Sequence, residues 1–488
     1  MNATLSNAAP SPRHPPGLYT LFFTEMWERC SYYGMRGLLV LFMKATLEKG
    51  GLEFSIPMAG AIYGLYTGAV YLAALPGGWV ADRLLGAQRA VLCGGTLIAC
   101  GQFTLAIPRK DTFFLGLVLV VMGTGLLKPN ISAIVGKLYP EGGARRDAGF
   151  TIFYMGINIG SFIGPLVCGP LGEKISWHLG FAAAGLGMIG GLAQFALMRG
   201  RLLGAGARPE VASVSRNDWR LLGGALAAFG LLVALIWIGV IPVNPLQVAN
   251  AAKWIIVALA VFTFLRLFLL SDLTGVEKKR IGVVAVLFVA AVTFFAGLEL
   301  AGSSLNLFAD QYTNRMLGSY EMPASWFQAI NPLFVVLLGP VAAGVWIALS
   351  KRGRDLSLGM KFAAGLLLLA AGYVVIALGA QRAVAEPVWP SWLVLMYLLH
   401  TLGELCVSPV GLSSITKLAP ARMVGQIMGL WFMATALGNL MAGLIAGEST
   451  SPGQMASQFW WVALSAAGVA VLLMFFAKPM RHWMVGIK

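Results

Sequence analysis

Ten residues near the start of the chain, Glu25-Met26-Trp27-Glu28-Arg29-Cys30-Ser31-Tyr32-Tyr33-Gly34, set two carboxylates, a guanidinium and two phenols into an otherwise apolar stretch. Charge is costly in such a setting and is retained by default for function. At about 100° per residue, with Glu25 at zero, Glu28 falls near roughly −60°, Arg29 roughly +40°, Tyr32 roughly −20°, Tyr33 roughly +80° and Arg36 roughly +20°. One helix face therefore carries all six. Glu25 stands one turn before Arg29, and Glu28 one turn before Tyr32, so each carboxylate has a partner within reach. Such a face holds exchangeable charge inside a membrane, or it is a structural ion pair that locks helices together.

Other polar groups are set into apolar stretches further along. Lys128, in Gly123-Thr124-Gly125-Leu126-Leu127-Lys128-Pro129-Asn130, must pair, face water or snorkel to an interface. At mid-depth it meets the carboxylates of the first stretch across a cavity; near an end it is an anchor. Pro129 beside it loosens the backbone ladder. Gly156, Gly160 and Gly164 recur every four residues and make a face for close helix contact. Asn158 lies about 160° from Gly160, which suits a cavity wall or interhelical glue equally. Glu404 and Ser408 share a face one turn apart, beside a flexible point at Pro409 and Gly411. His400, one turn earlier, reads as a satisfied polar residue rather than a proton relay. Trp431, among Gly425, Gly429 and Gly438, reads as an aromatic wall or as plain packing.

The elements that position these residues are membrane spans. Hydrophobic residues make up 58% and charged residues 11% of the 488, and the mean hydropathy is +0.78, against roughly 25% charged in soluble domains. Sixty glycines suit close packing in lipid and 23 prolines suit kinked or broken spans. The net charge of +15 sits mainly in short connections, where topology and lipid head groups account for it and nucleic acid is not needed. Cys30, Cys93, Cys100, Cys168 and Cys406 make no CxxC, and the four histidines are scattered, so no disulfide frame or metal site is expected. HExxH, P-loop and GxSxG patterns are absent, which argues against an enzyme. The segment ahead of Leu18 lacks a cleavable signal pattern, so the first apolar stretch is expected to stay as a span.

Stretches of about 20 apolar residues lie near 18–46, 58–81, 88–107, 112–138, 147–171 and 178–199. Two more follow near 219–240 and 248–271, and six near 280–309, 324–349, 358–380, 390–417, 423–447 and 457–477. Alternate connections are basic: Arg83 and Arg89; Arg145 and Arg146; the arginines of 199–220; Lys278, Lys279 and Arg280; Lys351, Arg352, Arg354 and Lys361; Lys417 and Arg422; and the tail with Lys478, Arg481 and Lys488. The positive-inside rule then puts both termini in the cytoplasm.

Longer motifs bring a resemblance. Gly77 to Arg89, with Asp82-Arg83 before Gly86 and Arg89, resembles the loop signature of the major facilitator superfamily. Glu25 to Gly34 resembles the ExxER[F]SYYG motif of the proton-coupled oligopeptide transporter family within it, and Phe153 to Gly160 resembles that family's FYxxINxG motif. Lys128-Pro129-Asn130 is similar to its fourth span. Glu299 to Ala309 is similar to its EQxGSSLNLFA pattern, with Leu300 where Gln is frequent and one polar contact correspondingly absent. The helix pair at 219–271 is like that of bacterial members, in layout more than in residues.

The resemblance implies an all-α polytopic membrane protein of 14 transmembrane helices in the major facilitator fold: a six-helix bundle over 1–200, a linker with two extra helices over 201–275, and a second six-helix bundle over 276–488. It implies a proton-coupled symporter importing di- and tripeptides by alternating access through a central polar cavity. Protons are the coupling ion, no other cofactor is needed, and the partners are peptides, protons and the bilayer of the plasma (inner) membrane, with the chain acting as a monomer. Proton coupling falls to Glu25, Glu28, Arg29 and Glu299, the last being a gating carboxylate or one paired to a neighbouring helix. Substrate contacts fall to Arg29, Tyr32, Tyr33, Arg36, Tyr71, Lys128, Asn158, Asn331, Glu404, Ser408 and Trp431. In the family the Glu at the Glu404 position receives the peptide amino terminus, while basic groups, Arg29 and Lys128 by position, hold the carboxy terminus. The competing readings are the same scaffold carrying nitrate or peptide-like drugs, and a nutrient sensor that binds without transporting.

Overall fold

The computed structural model describes residues 14–141, 143–210, 215–269, 273–352, 356–447 and 451–484. The expectations that rest on the residues ahead of His14, on Arg354 and on Lys488 lie outside the described residues. Helices α1 (Pro16–Lys44), α2 (Ile56–Val80), α3 (Ala87–Leu105), α4 (Lys110–Lys137), α5 (Gly143–Gly169) and α6 (Trp177–Met198) come first. The pair α7 (Arg216–Trp237) and α8 (Pro245–Leu269) follows. Then come α9 (Gly275–Leu298), the short α10 (Ser304–Tyr312), α11 (Ile330–Lys351), α12 (Leu358–Arg382), α13 (Ser391–Leu418), α14 (Val424–Ala446) and α15 (Pro452–Trp483). Among the described residues twelve spans are long and apolar enough to cross a membrane by length and composition. The long helices outside that set are α1, which carries Glu25, Glu28, Arg29 and Arg36, and α3, rich in Gly, Ala, Cys and Gln.

Helix starts follow ordinary capping chemistry. Thr274 with Glu277 and Ser451 with Gln454 form reciprocal capping boxes at α9 and α15, and proline occupies the first turn of α1, α2 and α15.

Packing divides the molecule. Within the first six helices α1 packs on α5 and α6, α3 on α4 and α6, and α2 on α4; in the last group α12 packs on α13 and α15, and α9 on α14 and α15. Small residues make these approaches possible, because lipid supplies little hydrophobic drive between helices. A Cβ on Gly160 would strike the Met26 carbonyl, and one on Gly164 the Cys30 carbonyl, so the four-residue glycine repeat of α5 is the seam against α1.

The two groups meet chiefly along α2 and α14. Gly60, Gly64 and Gly68 lie against Gly443, Leu440 and Ala436, and the seam stops there: Gly77 packs on Gly125 of α4 instead. The interface is therefore tight where α2 begins and α14 ends. More links close the same side. Glu173 accepts from the Ala324 amide at 2.7 Å, the Ser325 amide at 3.0 Å and the Ser325 hydroxyl at 2.5 Å, Lys174 pairs with Glu321 at 2.6 Å, and Asn306 donates to the Gly37 carbonyl at 2.8 Å.

Helix α8 rests on α2 and α14, whereas α7 buries no residue and touches the loop at Ala81–Leu85. There Arg83 reaches Asp218 at 3.3 Å.

Two expected spans differ in detail. The stretch near 280–309 is two helices, broken by a tight turn at Glu299–Gly302 that carries Glu299 inward. The stretch near 324–349 opens with a 3-10 segment, Ala324–Ala329, before α11 begins at Ile330. Between them lies a small antiparallel hairpin, Met316–Leu317 with Tyr320–Glu321, turned at Gly318 with φ +64°.

Candidate functional site

Helix α1 runs beside a central cavity of about 220 Å³ with Glu25, Arg29, Tyr33 and Arg36 in its wall. Arg29 Nε donates to Glu25 Oε1 at 2.9 Å. Glu28 Oε2 lies 2.6 Å from the same Nε, yet that nitrogen carries one hydrogen and Glu25 receives it. Both Glu28 oxygens, Glu25 Oε2 and Arg29 Nη2 are buried without a hydrogen-bond partner. Two carboxylates thus share one guanidinium, and the side chain of Glu28, fully enclosed, has charge compensation but no donated hydrogen.

Two helix turns further along, Arg36 bridges the two halves. Its Nη2 meets Glu299 Oε2 at 2.7 Å, and its Nε donates to the Tyr63 hydroxyl at 2.7 Å. Gly302 is required beside this pair, because a Cβ there would strike the Tyr63 hydroxyl. The break between α9 and α10 therefore sets the Glu299 carboxylate against Arg36.

Lys128 enters the cavity from α4 and lies 4.0 Å from the centroid of the Tyr71 ring, a cation–π contact. Pro129 follows it, and Asn130 Nδ2 binds the Leu126 carbonyl at 2.7 Å and the Gly77 carbonyl of α2 at 3.2 Å, holding the helix at the proline. Asn158 of α5 lines the cavity and returns its amide to the Tyr154 carbonyl at 3.0 Å.

The facing wall belongs to α11 and α13. Asn331 Nδ2 donates to Glu404 Oε2 at 3.0 Å and contacts the Thr401 hydroxyl at 3.0 Å. Among the described lining residues Glu404 is the carboxylate of this wall, and the cations stand opposite on α1 and α4. Counting Glu28 behind the surface, three cations, Arg29, Arg36 and Lys128, face four carboxylates, Glu25, Glu28, Glu299 and Glu404.

Four anticipated contacts are not in the cavity wall. Glu28 lies behind Arg29. Tyr32 stacks on Tyr66 at 6.3 Å and meets Tyr33 edge-on at 5.2 Å. Trp431 packs edge-on against Phe295 at 5.9 Å, one layer back, because Phe295 itself forms the wall. Ser408 is likewise outside the lining. Conversely, Tyr154, Ser161, Gln328 and Tyr397 line the cavity and were not singled out. The signal was available in the spacing: Tyr154 precedes Asn158 by one turn and Ser161 stands three after it, Gln328 stands three before Asn331, and Tyr397 one turn before Thr401. Among the described residues no group of three or more His, Cys, Asp or Glu could hold a metal ion.

Comparison with known proteins bears on this arrangement. A sequence model of the POT family matches residues 88–462. The chain belongs to the POT family. It is 43% identical to the peptide transporter YePEPT of Yersinia enterocolitica, over 96% of this chain and 95% of that one. It is 39% identical to a di-/tripeptide transporter of Lactococcus lactis, over 86% of each. The fold superimposes on the crystal structure of a peptide transporter POT in complex with sulfate with a TM-score of 0.91 at 38% identity, covering 97% of this chain and 96% of that one. A mutant of that transporter in complex with alafosfalin gives 0.90 over the same coverage. The POT chain described here accordingly has the major facilitator architecture, two six-helix groups with an inserted pair, and is a multi-pass membrane protein.

Proposed function

We propose that this protein is a symporter that carries di- and tripeptides into the cell with protons, across the plasma membrane, with both termini in the cytoplasm and the chain working as a monomer. The observation that carries this reading is the opposition of charge across one cavity: Arg29, Arg36 and Lys128 on α1 and α4, and Glu404 on α13. A short peptide is a zwitterion whose carboxylate and ammonium suit those two walls, with Asn158 and Asn331 beside its amide. Arg29 Nη2 still has N–H groups to give. The cavity of about 220 Å³ is smaller than the roughly 300–1,000 Å³ of drug-sized sites, which limits cargo length. Recognition of the termini leaves the side chains undemanding, so selectivity is broad. The names of the relatives, peptide and di-/tripeptide transporters, agree with it.

Proton coupling rests on the imbalance of the charge cluster. One carboxylate exceeds the cations, and in a low-dielectric setting that excess is relieved by a proton. Glu28 receives no hydrogen from Arg29 and loses least on protonation. A peptide carboxylate that engages Arg29 competes with Glu25 and Glu28 and favours that proton. Protonation of Glu299 would release Arg36, and with it a link across the closed side. With the termini placed in the cytoplasm, the tight α2–α14 side faces outward.

The test is competition. Uptake of a labelled dipeptide into proteoliposomes should be displaced by unlabelled di- and tripeptides, and left intact by free amino acids, tetrapeptides or nitrate. Displacement by nitrate with none by tripeptides would assign the scaffold to an anion and overturn the reading.

A further inference from the structure

A second recess lies away from the central cavity, where the start of α12 meets the ends of α13 and α15. It encloses about 590 Å³ and is lined by Lys361, Lys417 and Arg481, with no carboxylate among its described lining residues. Elsewhere basic residues of the connections pair with carboxylates: Arg83 with Asp218, Lys137 with Glu210 and Arg422 with Glu277. Lys417 and Arg481 make no ion pair among the described residues. Converging like charges repel and favour an anion between them.

The rest of the lining says which anion. Ser357, the residue before α12, lines the recess and makes no capping bond with its side chain, so the first-turn N–H groups of the 25-residue helix lack that partner. Ser413 and Ser414 add hydroxyl donors. The remaining walls, Leu356, Leu358, Pro409, Val410, Leu418 and Met484, are apolar. A phosphate with hydrocarbon attached matches both parts, and a recess at the basic ends of membrane helices sits at head-group depth.

We propose that this recess binds the phosphate head group of an anionic phospholipid, with Lys417 and Arg481 as its principal ligands. The bound lipid ties α12 and α15 to the segment of α13 beyond Pro409, the same helix that carries Glu404. The site is independent of the cargo of the central cavity.

Native mass spectrometry of the full-length protein tests this, with phosphatidylglycerol against phosphatidylcholine of identical acyl chains as probes. The protein should retain phosphatidylglycerol preferentially, and Lys417→Gln and Arg481→Gln should each reduce the preference about fivefold. Ser413→Phe, which fills the recess and keeps every charge, should reduce it too, with the thermal midpoint confirming that each variant is folded. The pair Lys278→Gln and Lys279→Gln, on α9 and outside the recess, should leave it unchanged. Equal loss in that pair would show a diffuse surface potential, and unchanged preference in Lys417→Gln and Arg481→Gln would show another site. Displacement of the lipid by soluble glycerol phosphate at equal concentration would assign the recess to a free phosphate. Any of these three results overturns the proposal.

Discussion

At the residue scale the site is an arithmetic of charge. The cluster Glu25, Glu28 and Arg29 was legible in sequence because ionisable groups are rare in a span and the helical period put them on one face. Its asymmetry was not legible. Spacing shows that two carboxylates can reach Arg29, but only side-chain geometry shows that Glu25 takes the Nε hydrogen while Glu28 lies at 2.6 Å without it. Glu28→Gln keeps the shape and removes the titratable group. Accumulation of dipeptide driven by a proton gradient should fall to the vesicle background, while exchange of internal for external peptide persists; gradient-driven accumulation equal to wild type would remove Glu28 from the coupling. Glu404→Gln addresses the other wall. Loss of a charge-assisted contact to the peptide ammonium should raise the KM for a dipeptide about 10- to 100-fold, and the variant should no longer prefer a free amino terminus over an N-acetylated one. An unaltered preference would place the ammonium elsewhere.

At the element scale, the glycines and breaks determine which helices meet. Apolar stretches of about 20 residues located the long described helices, a strong signal for most of them and a weaker one for α1 and α3, which polar residues interrupt. It could not find the interruption at Glu299–Gly302, because a tight turn among Leu, Ala and Gly is as apolar as a helix. Ser303-Ser304 after Gly302 were the visible clue. The hairpin at Met316–Glu321 had its own sign in Gly318-Ser319 between short strands. The approach of α2 to α14 supports a direct prediction. Gly443→Val sets a side chain against Gly60 and Gly64, so the closed side should open. Labelling of a cysteine introduced at Leu440, which is buried and lies against Gly64 and Gly68 in that seam, by a membrane-impermeant thiol reagent should rise, and uptake should be lost; labelling as slow as in the parent would show that the seam is not what closes.

The links on the closed side also carry a pH dependence. Glu321 lies outside the spans, and its hydrogen bond from Lys174, with Arg315 near it, holds its carboxyl below the usual range. A carboxyl depressed in the folded state stabilises above its ordinary pKa of about 4.3 and loses that contribution as pH falls through the folded value. The link between the α5 end and the hairpin should therefore stay intact from pH 7 to about 5 and weaken only in stronger acid. Distances between spin labels on the two segments, measured across that range, check the sign.

At the scale of the whole molecule, the two groups of helices are closed against each other along α2 and α14 on one side, and the charges that face each other across the cavity come from different groups. Arg36 and Glu299 link those groups directly, so a proton or a peptide that alters one charge alters what holds the halves together. The inserted pair α7 and α8 stands outside this circuit. Its layout was readable from hydropathy, but its contacts were not: α8 rests on the α2–α14 seam while α7 is held at the Arg83–Asp218 contact, a difference that lies in tertiary packing and leaves no period in the sequence.

Coupled transport is the central claim, and simultaneous recording of both species tests it most directly. Proteoliposomes containing the protein and a pH-sensitive dye are given labelled dipeptide outside, with an inward proton gradient. Dipeptide should accumulate above its external concentration, the lumen should acidify only when dipeptide is supplied, and a protonophore should abolish accumulation. Dipeptide that merely equilibrates, with the same proton influx whether or not it is present, would contradict the account.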